Sequence, residues 1–283
     1  MQVAIRNESG TFNLGGDLEV RRLGYGAMQL PGPGVWGEPP DPAKVKRTLK
    51  RVPEVGINLI DTADSYGPEV SERLIAEVLH PYPADLVIAT KGGLLRPGPG
   101  KWKPNGRPEH LRAACEGSLR RLRLDCIDLY QLHRIDREVP LEDSLGALKD
   151  LQDAGKIRHI GLSEVGIEEI KQARKLVPIV SVQNRYNVAD RQWDDVLDYC
   201  EAEGIAFVPW FPLETGKLAT DEKLAAIADA RGVTRAQVAL AWLLKRSPAM
   251  LPIPGTSSVE HLEENVAATS LELSDEEMRS LSA

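Results

Sequence analysis

The chain has 283 residues, 42% hydrophobic and 27% charged, with a formal net charge of −7. That size and composition suit one domain, residues 1–283, with a substantial core. The acidic balance excludes a general nucleic-acid binder, which needs a basic surface, and no apolar run approaches the roughly 20 residues that cross a bilayer, so no membrane partner is expected.

Residues 11–14, then Gly15-Gly16, then 18–20 predict a β-hairpin with a two-residue turn. Eight short apolar runs follow as strand candidates: 22–26, 58–61, 86–90, 127–132, 157–161, 179–183, 206–210 and 250–254. Helical stretches alternate with them. Asp41 caps the first, with Pro42 in its first turn, and Ser71 opens the second. Further helices are predicted over 108–122, 142–154, 166–175, 193–203, 222–231 and 234–245. Ser257 with Glu260, and Ser274 with Glu277, predict capping boxes for the last two. Eight strand–helix units point to a (β/α)8 TIM barrel whose bottom the hairpin closes. An open doubly wound sheet is the alternative. The Pro/Gly-rich stretches 31–40 and 94–108 follow strands, which places them as loops on the face where active sites are built.

Cys115, Cys126 and Cys200 are few and widely spaced, and read as reduced thiols, neither a disulfide framework nor a zinc site. Met1–Glu8 lacks a charged-then-apolar signal pattern. A cytoplasmic protein with no metal site is expected.

Asp61, Tyr66, Lys91 and His133 stand at or just past the ends of the second, third and fourth strand candidates. In a barrel those ends open onto one face, where an acid, a phenol, an amine and an imidazole can form one proton-transfer site. Singly, each has an ordinary explanation: turn former, loop aromatic, solvated charge, structural histidine. Together, and with Asp61-Thr62-Ala63 leading to Tyr66-Gly67, they resemble the tetrad of the aldo-keto reductase family, over about residues 23–265. The resemblance implies carbonyl reduction by a nicotinamide cofactor. Asp61 would hold Lys91, Lys91 would lower the pKa of Tyr66, Tyr66 would donate the proton, and His133 would orient the carbonyl.

The literal Gly-x-Gly-x-x-Gly at 32–37 lies in a Pro-rich loop, not between a strand and a helix, and is rejected as a dinucleotide fingerprint. The family resemblance instead implies a cofactor site from Gly26, Ala27, Asp61, Ser163, Glu164, Gln183, Trp210, Phe211, Leu213, Thr215, Gly255, Thr256, Ser257, Ser258, His261, Glu264 and Asn265. In it Ser163 and Gln183 would hold the carboxamide, Trp210 would stack on the nicotinamide, and the turn at 256–258 would hold a phosphate. Glu164 stands where the family usually has Asn, and Trp210 where Tyr is common. Gly255 and His261 stand where many NADPH-specific members carry Lys and Arg. NADPH is expected, with NADH or dual use left open.

Met28, Trp36, Trp102 and Arg134 are the substrate-pocket candidates. Short loops suggest an open pocket for small or varied carbonyls. The chain looks similar to short bacterial members, including a pyridoxal-reductase-like branch, and a monomer is expected. Two alternatives remain: a cofactor-binding assembly module of the same fold, and a lyase using Lys91 as a Schiff base.

Overall fold

A computed structural model describes residues 5–213 and 220–282. The central sheet has seven parallel strands: β3 (Tyr25–Gly26), β4 (Leu59–Asp61), β5 (Val87–Gly92), β8 (Ile127–Leu132), β9 (Ile157–Ser163), β10 (Ile179–Gln183) and β11 (Ala206–Phe207), adjacent in that order. Helices α1 (Pro42–Glu54), α2 (Val70–Leu79), α3 (Pro108–Leu122), α4 (Leu141–Asp153), α5 (Ile167–Arg174) and α6 (Asp194–Ala202) connect them. After β11 come α7 (Glu222–Arg231), α8 (Arg235–Arg246), α9 (Val259–Ala267) and α10 (Asp275–Ser282).

The eighth stave of the barrel differs from a regular strand. Phe207 and Met250 form a parallel bridge, as do Gly26 and Gly255, and the N–H groups of Gly24 and Gly26 donate to Pro252 and Pro254. The sheet therefore closes through residues 250–255. Pro252 and Pro254 have no N–H to give, so the ladder there is reduced to isolated bridges. At this seam the backbones are so close that a Cβ on Gly26 would lie 2.5 Å from the Ile253 carbonyl oxygen.

Two apolar layers follow from the period-two geometry of strands. Leu59, Val87, Ala89, Leu129, Ala206, Val208, Leu251 and Ile253 fill the barrel interior. Their sequence neighbours Ile60, Ile88, Tyr130 and Phe207 pack outward against the helices, as does Ile160 on β9. β1 (Thr11–Leu14) and β2 (Leu18–Arg21) form the hairpin, and Leu14, Leu18 and Val20 join the interior cluster, plugging its bottom. The turn has three residues, not two: Leu14 pairs with Leu18, and Gly15 and Gly16 take φ of 66° and 88°.

Most helix boundaries agree with the sequence expectation to within a residue. Asp41 accepts from the Lys44 N–H, and Thr234 with Gln237 closes a capping box on α8. Ser71 is not a helix start. It lies one residue inside α2, where its buried hydroxyl contacts Thr62 Oγ1 and the Ala27 carbonyl. The cap of α9 is Ser258, not Ser257. The stretch 94–108 is not a plain loop: β6 (Leu94–Gly98) and β7 (Lys101–Pro104) form an antiparallel hairpin over the top of the barrel. Burial pushes the Cys115 and Cys200 thiols up to about 12 each, so both are inert. No described helix is long and apolar enough to cross a membrane.

Candidate active site

The alternation that builds the apolar interior also builds the site. Two residues above Leu59 is Asp61, two above Ala89 is Lys91, and two above Leu129 is Gln131, followed by His133. Interior positions thus turn from aliphatic to polar at the strand C-termini, where barrel sites form.

Lys91 Nζ is fully buried and donates to Asp61 Oδ1 at 2.6 Å, to the Thr62 carbonyl at 2.7 Å and to Tyr66 Oη at 3.4 Å. Asp61 Oδ2 accepts from Gln183 Nε2 at 2.8 Å and Gln131 Nε2 at 3.2 Å, so the carboxylate is clamped on both sides. His133 Nδ1 lies 3.3 Å from Ser65 Oγ, and its ring meets the Tyr66 ring edge-on with centroids 5.9 Å apart. All four tetrad residues thus share one cluster.

Burial opposes the charge on Lys91, yet the Asp61 carboxylate and Tyr66 hold its pKa above the ordinary ammonium value. His133 is driven well below the usual imidazole range by burial and then by Lys91, Arg134 and Arg96, so its ring is neutral. Tyr66 departs from the sequence expectation. Lys91 does pull its pKa down, but burial outweighs that pull and the net shift is upward. The phenol is held protonated, which suits a proton donor.

Beside the tetrad opens a cleft of about 830 Å³. From the list of cofactor candidates, Gly26, Asp61, Ser163, Gln183, Trp210, Phe211, Leu213, Gly255, Thr256, His261, Glu264 and Asn265 line it. Met28, Trp102 and Arg134, expected at the substrate, line it too, and Leu94 and Pro104 of the unforeseen hairpin join them. The cleft runs from the tetrad past the Trp210 ring to the N-terminus of α9, a length and mix of aromatic, amide and N–H groups that fit a dinucleotide.

Other candidates lie elsewhere. Ala27 is fully buried. Trp36 is half-buried beside Arg96, outside the cleft. Ser257 lines an adjoining cavity of about 440 Å³ together with Lys44 and the 31–35 loop, and Ser258 is committed to capping α9. Thr215 lies outside the described residues. Glu164 sits at φ 57° and turns its carboxylate behind the cleft wall: Oε1 accepts from Trp210 Nε1 and the Arg185 N–H, both at 2.6 Å. Arg134 donates to the His133 carbonyl at 2.7 Å and to Ser163 Oγ at 2.9 Å.

Arg96, Gln131 and Lys44 were not among the sequence candidates. Gln131 carries a signal in hindsight, being the interior position between Leu129 and His133; the other two carry none.

The model of the aldo/keto reductase family matches residues 22–283. An uncharacterized oxidoreductase of Schizosaccharomyces pombe is 52% identical over 271 residues, covering 95% of this chain and 88% of that protein. Pyridoxine 4-dehydrogenase of Escherichia coli is 45% identical over 279 residues, covering 96% and 97%. An aldo/keto reductase from Klebsiella pneumoniae, solved with NADP and acetate, superposes with a TM-score of 0.81 at 28% identity, covering 96% and 93%.

Proposed function

The chain belongs to the aldo/keto reductase family and is an NAD(P)H-dependent oxidoreductase; on that premise we propose that it reduces an aldehyde or ketone to the alcohol with NADPH, Tyr66 giving the proton. The observation that carries this reading is the position of Lys91 Nζ between Asp61 Oδ1 (2.6 Å) and Tyr66 Oη (3.4 Å) at the edge of the cleft.

When bound, dihydronicotinamide supplies the hydride, which no side chain offers. Tyr66, held as the neutral phenol, gives its Oη proton to the alkoxide that forms on the substrate. Lys91 stabilises the phenolate left behind, and Asp61, clamped by Gln131 and Gln183, keeps Lys91 charged and aimed. If Ser65 donates to His133 Nδ1, the neutral ring carries its proton on Nε2, free to orient the carbonyl oxygen. The raised pKa of Lys91 and its three acceptors make it unsuited to Schiff-base chemistry.

For the cofactor, we assign Ser163 and Gln183 to the carboxamide, Trp210 to the nicotinamide face, and Gly255, Thr256, Ser257 and the N–H groups opening α9 to phosphate. Glu164 then acts by bracing Trp210. Glu264 and Asn265 would face the adenosine end. The 2′-phosphate falls to His261 and to Lys44, which shares a cavity with Ser257. NADPH rather than NADH is supported by the Klebsiella structure with NADP.

Trp102, Phe211, Leu94 and Met28 make the substrate side apolar and partly aromatic. With the E. coli relative named for pyridoxine, a flat heteroaromatic aldehyde of the pyridoxal type is the substrate class we favour. We further read residues 1–283 as one domain, acting as a cytoplasmic monomer. The test is consumption of NADPH and of NADH with pyridoxal, 4-nitrobenzaldehyde and methylglyoxal. Turnover, faster with NADPH, is expected; failure to bind either cofactor would overturn the reading.

A further inference from the structure

We propose that Arg96 is a positioning residue that locks Trp102 as the substrate-facing wall and so sets selectivity for aromatic carbonyls. This rests on the reductase reading above for its activity readout.

Arg96 lies on β6, in the hairpin inserted after the Lys91 strand. Its guanidinium gathers carbonyl oxygens from three separate segments. Nε donates to Lys101 at 3.0 Å, within the hairpin. Nη1 donates to Val35 at 2.9 Å and Nη2 to Gly34 at 2.9 Å, in the loop after β3. Nη1 also donates to Ser65 at 2.7 Å, the residue before Tyr66. One side chain thus ties the hairpin and the loop after β3 to the proton-donor loop. No described Asp or Glu forms an ion pair with it, so neutral carbonyl dipoles and ring faces hold its charge.

The ring faces matter most. The guanidinium carbon stands 3.6 Å from the Trp102 ring centroid, and 5.6 Å from that of Trp36. Trp102 in turn meets Tyr66 edge-on at 6.3 Å and His133 at 6.4 Å. Yet Trp102 is 37% exposed, on a strand exposed along its whole length. Apolar packing alone leaves such a ring free to choose among rotamers; a stacked cation fixed by four hydrogen bonds removes that freedom. Lysine has neither the plane to stack nor the fork to span three segments. The Arg96 charge also helps hold His133 neutral.

A planar aromatic carbonyl seated at Tyr66 and His133 meets the Trp102 ring directly, whereas a two- or three-carbon aldehyde does not reach as much of it. Arg96 therefore acts on discrimination between substrates, through Trp102.

The test compares Arg96→Lys, Trp102→Ala and the double variant with the parent. The readout is the ratio of kcat/KM for 4-nitrobenzaldehyde to that for methylglyoxal. Each single variant should lower the ratio about tenfold, as loss of a stacked aromatic contact implies. The double variant should fall no further than Trp102→Ala alone, the mark of two residues acting as one unit. Additive losses, or equal losses on both substrates, would overturn the proposal, because a merely structural role gives those. A second arm needs no turnover. Acrylamide quenching of Trp102, isolated by subtracting the Trp102→Phe signal, should rise in Arg96→Lys; unchanged quenching overturns the proposal. If the parent reduces no carbonyl, the reductase reading fails while this arm still decides the role of Arg96.

Discussion

Glu164 holds Trp210 from behind: its Oε1 accepts the indole N–H at 2.6 Å while also accepting the Arg185 backbone N–H at 2.6 Å. A carboxylate in this position cannot donate to a carboxamide oxygen, but it can fix the ring that forms one wall of the cleft. Glu164→Ala should therefore loosen NADPH binding about tenfold, on the order of 1.4 kcal/mol for a lost charge-assisted hydrogen bond. Glu164→Gln, which still accepts through its amide oxygen, should cost less. Fluorescence titration with NADPH measures both; equal affinities in Glu164→Ala and the parent would remove Glu164 from the cofactor site.

The Lys91–Asp61 pair is buried, with side-chain exposures of 0% and 4%. Lys91→Met leaves Asp61 charged among two amides with no cation beside it. Loss of one partner of such a pair costs about 3–5 kcal/mol. Urea unfolding should show that loss, and carbonyl reduction should fall with it, because the Tyr66 phenolate loses the ammonium beside it. A stability change below about 1 kcal/mol would show that the pair is not desolvated as described.

Asp64 follows β4, and its Oδ1 is buried without a hydrogen-bond partner among the described residues. Burial, then the neighbouring carboxylates of Glu72 and Glu69, push its pKa up to about 8 against the pull of Arg121 and a backbone N–H. The folded state therefore keeps a proton that the unfolded chain releases near the usual carboxylate value of about 4. Between those values the native state binds more protons, so stability falls as pH rises. Asp64→Asn should flatten the decline in Tm from about pH 5 to 8. Parallel Tm profiles for parent and variant would contradict this.

Lys44 and Ser257 line the cavity that adjoins the cleft near the N-terminus of α9. If Lys44 supplies charge to the 2′-phosphate, Lys44→Ala should weaken NADPH binding several-fold and leave NADH binding unaltered. Calorimetric titration with each cofactor distinguishes this; equal weakening of both would place Lys44 elsewhere.

How far these features could be read from the sequence depended on whether neighbours in space were also periodic in the chain. Asp61, Lys91 and His133 were legible because each continues an alternating strand, whereas Tyr66, on the loop after β4, was legible only through the run from Asp61 to Gly67 and its family resemblance. The hairpin after β5 was not: Pro97, Gly98, Pro99 and Gly100 resemble a plain breaker run, and nothing periodic in the run marks the pairing of Leu94 with Pro104 and Leu95 with Lys103. The closing strand loses its ladder to Pro252 and Pro254, two residues inside the expected strand 250–254. The direction of the Tyr66 shift is not legible in the sequence, which names Lys91 as a neighbour but carries no measure of burial, and burial is the larger influence. Glu164 illustrates a third case: its departure from the family pattern was visible, but its bond to Trp210 needed the left-handed backbone at φ 57°.

Turnover by Tyr66→Phe tests the central claim most directly. NADPH oxidation with 4-nitrobenzaldehyde or pyridoxal should fall at least 10²-fold, as expected when a positioned general acid is removed, while the Kd for NADPH stays within about twofold of the parent. Rates equal to the parent, with NADPH still bound, would show that the proton comes from another group and that the Lys91–Tyr66 contact is not the catalytic one.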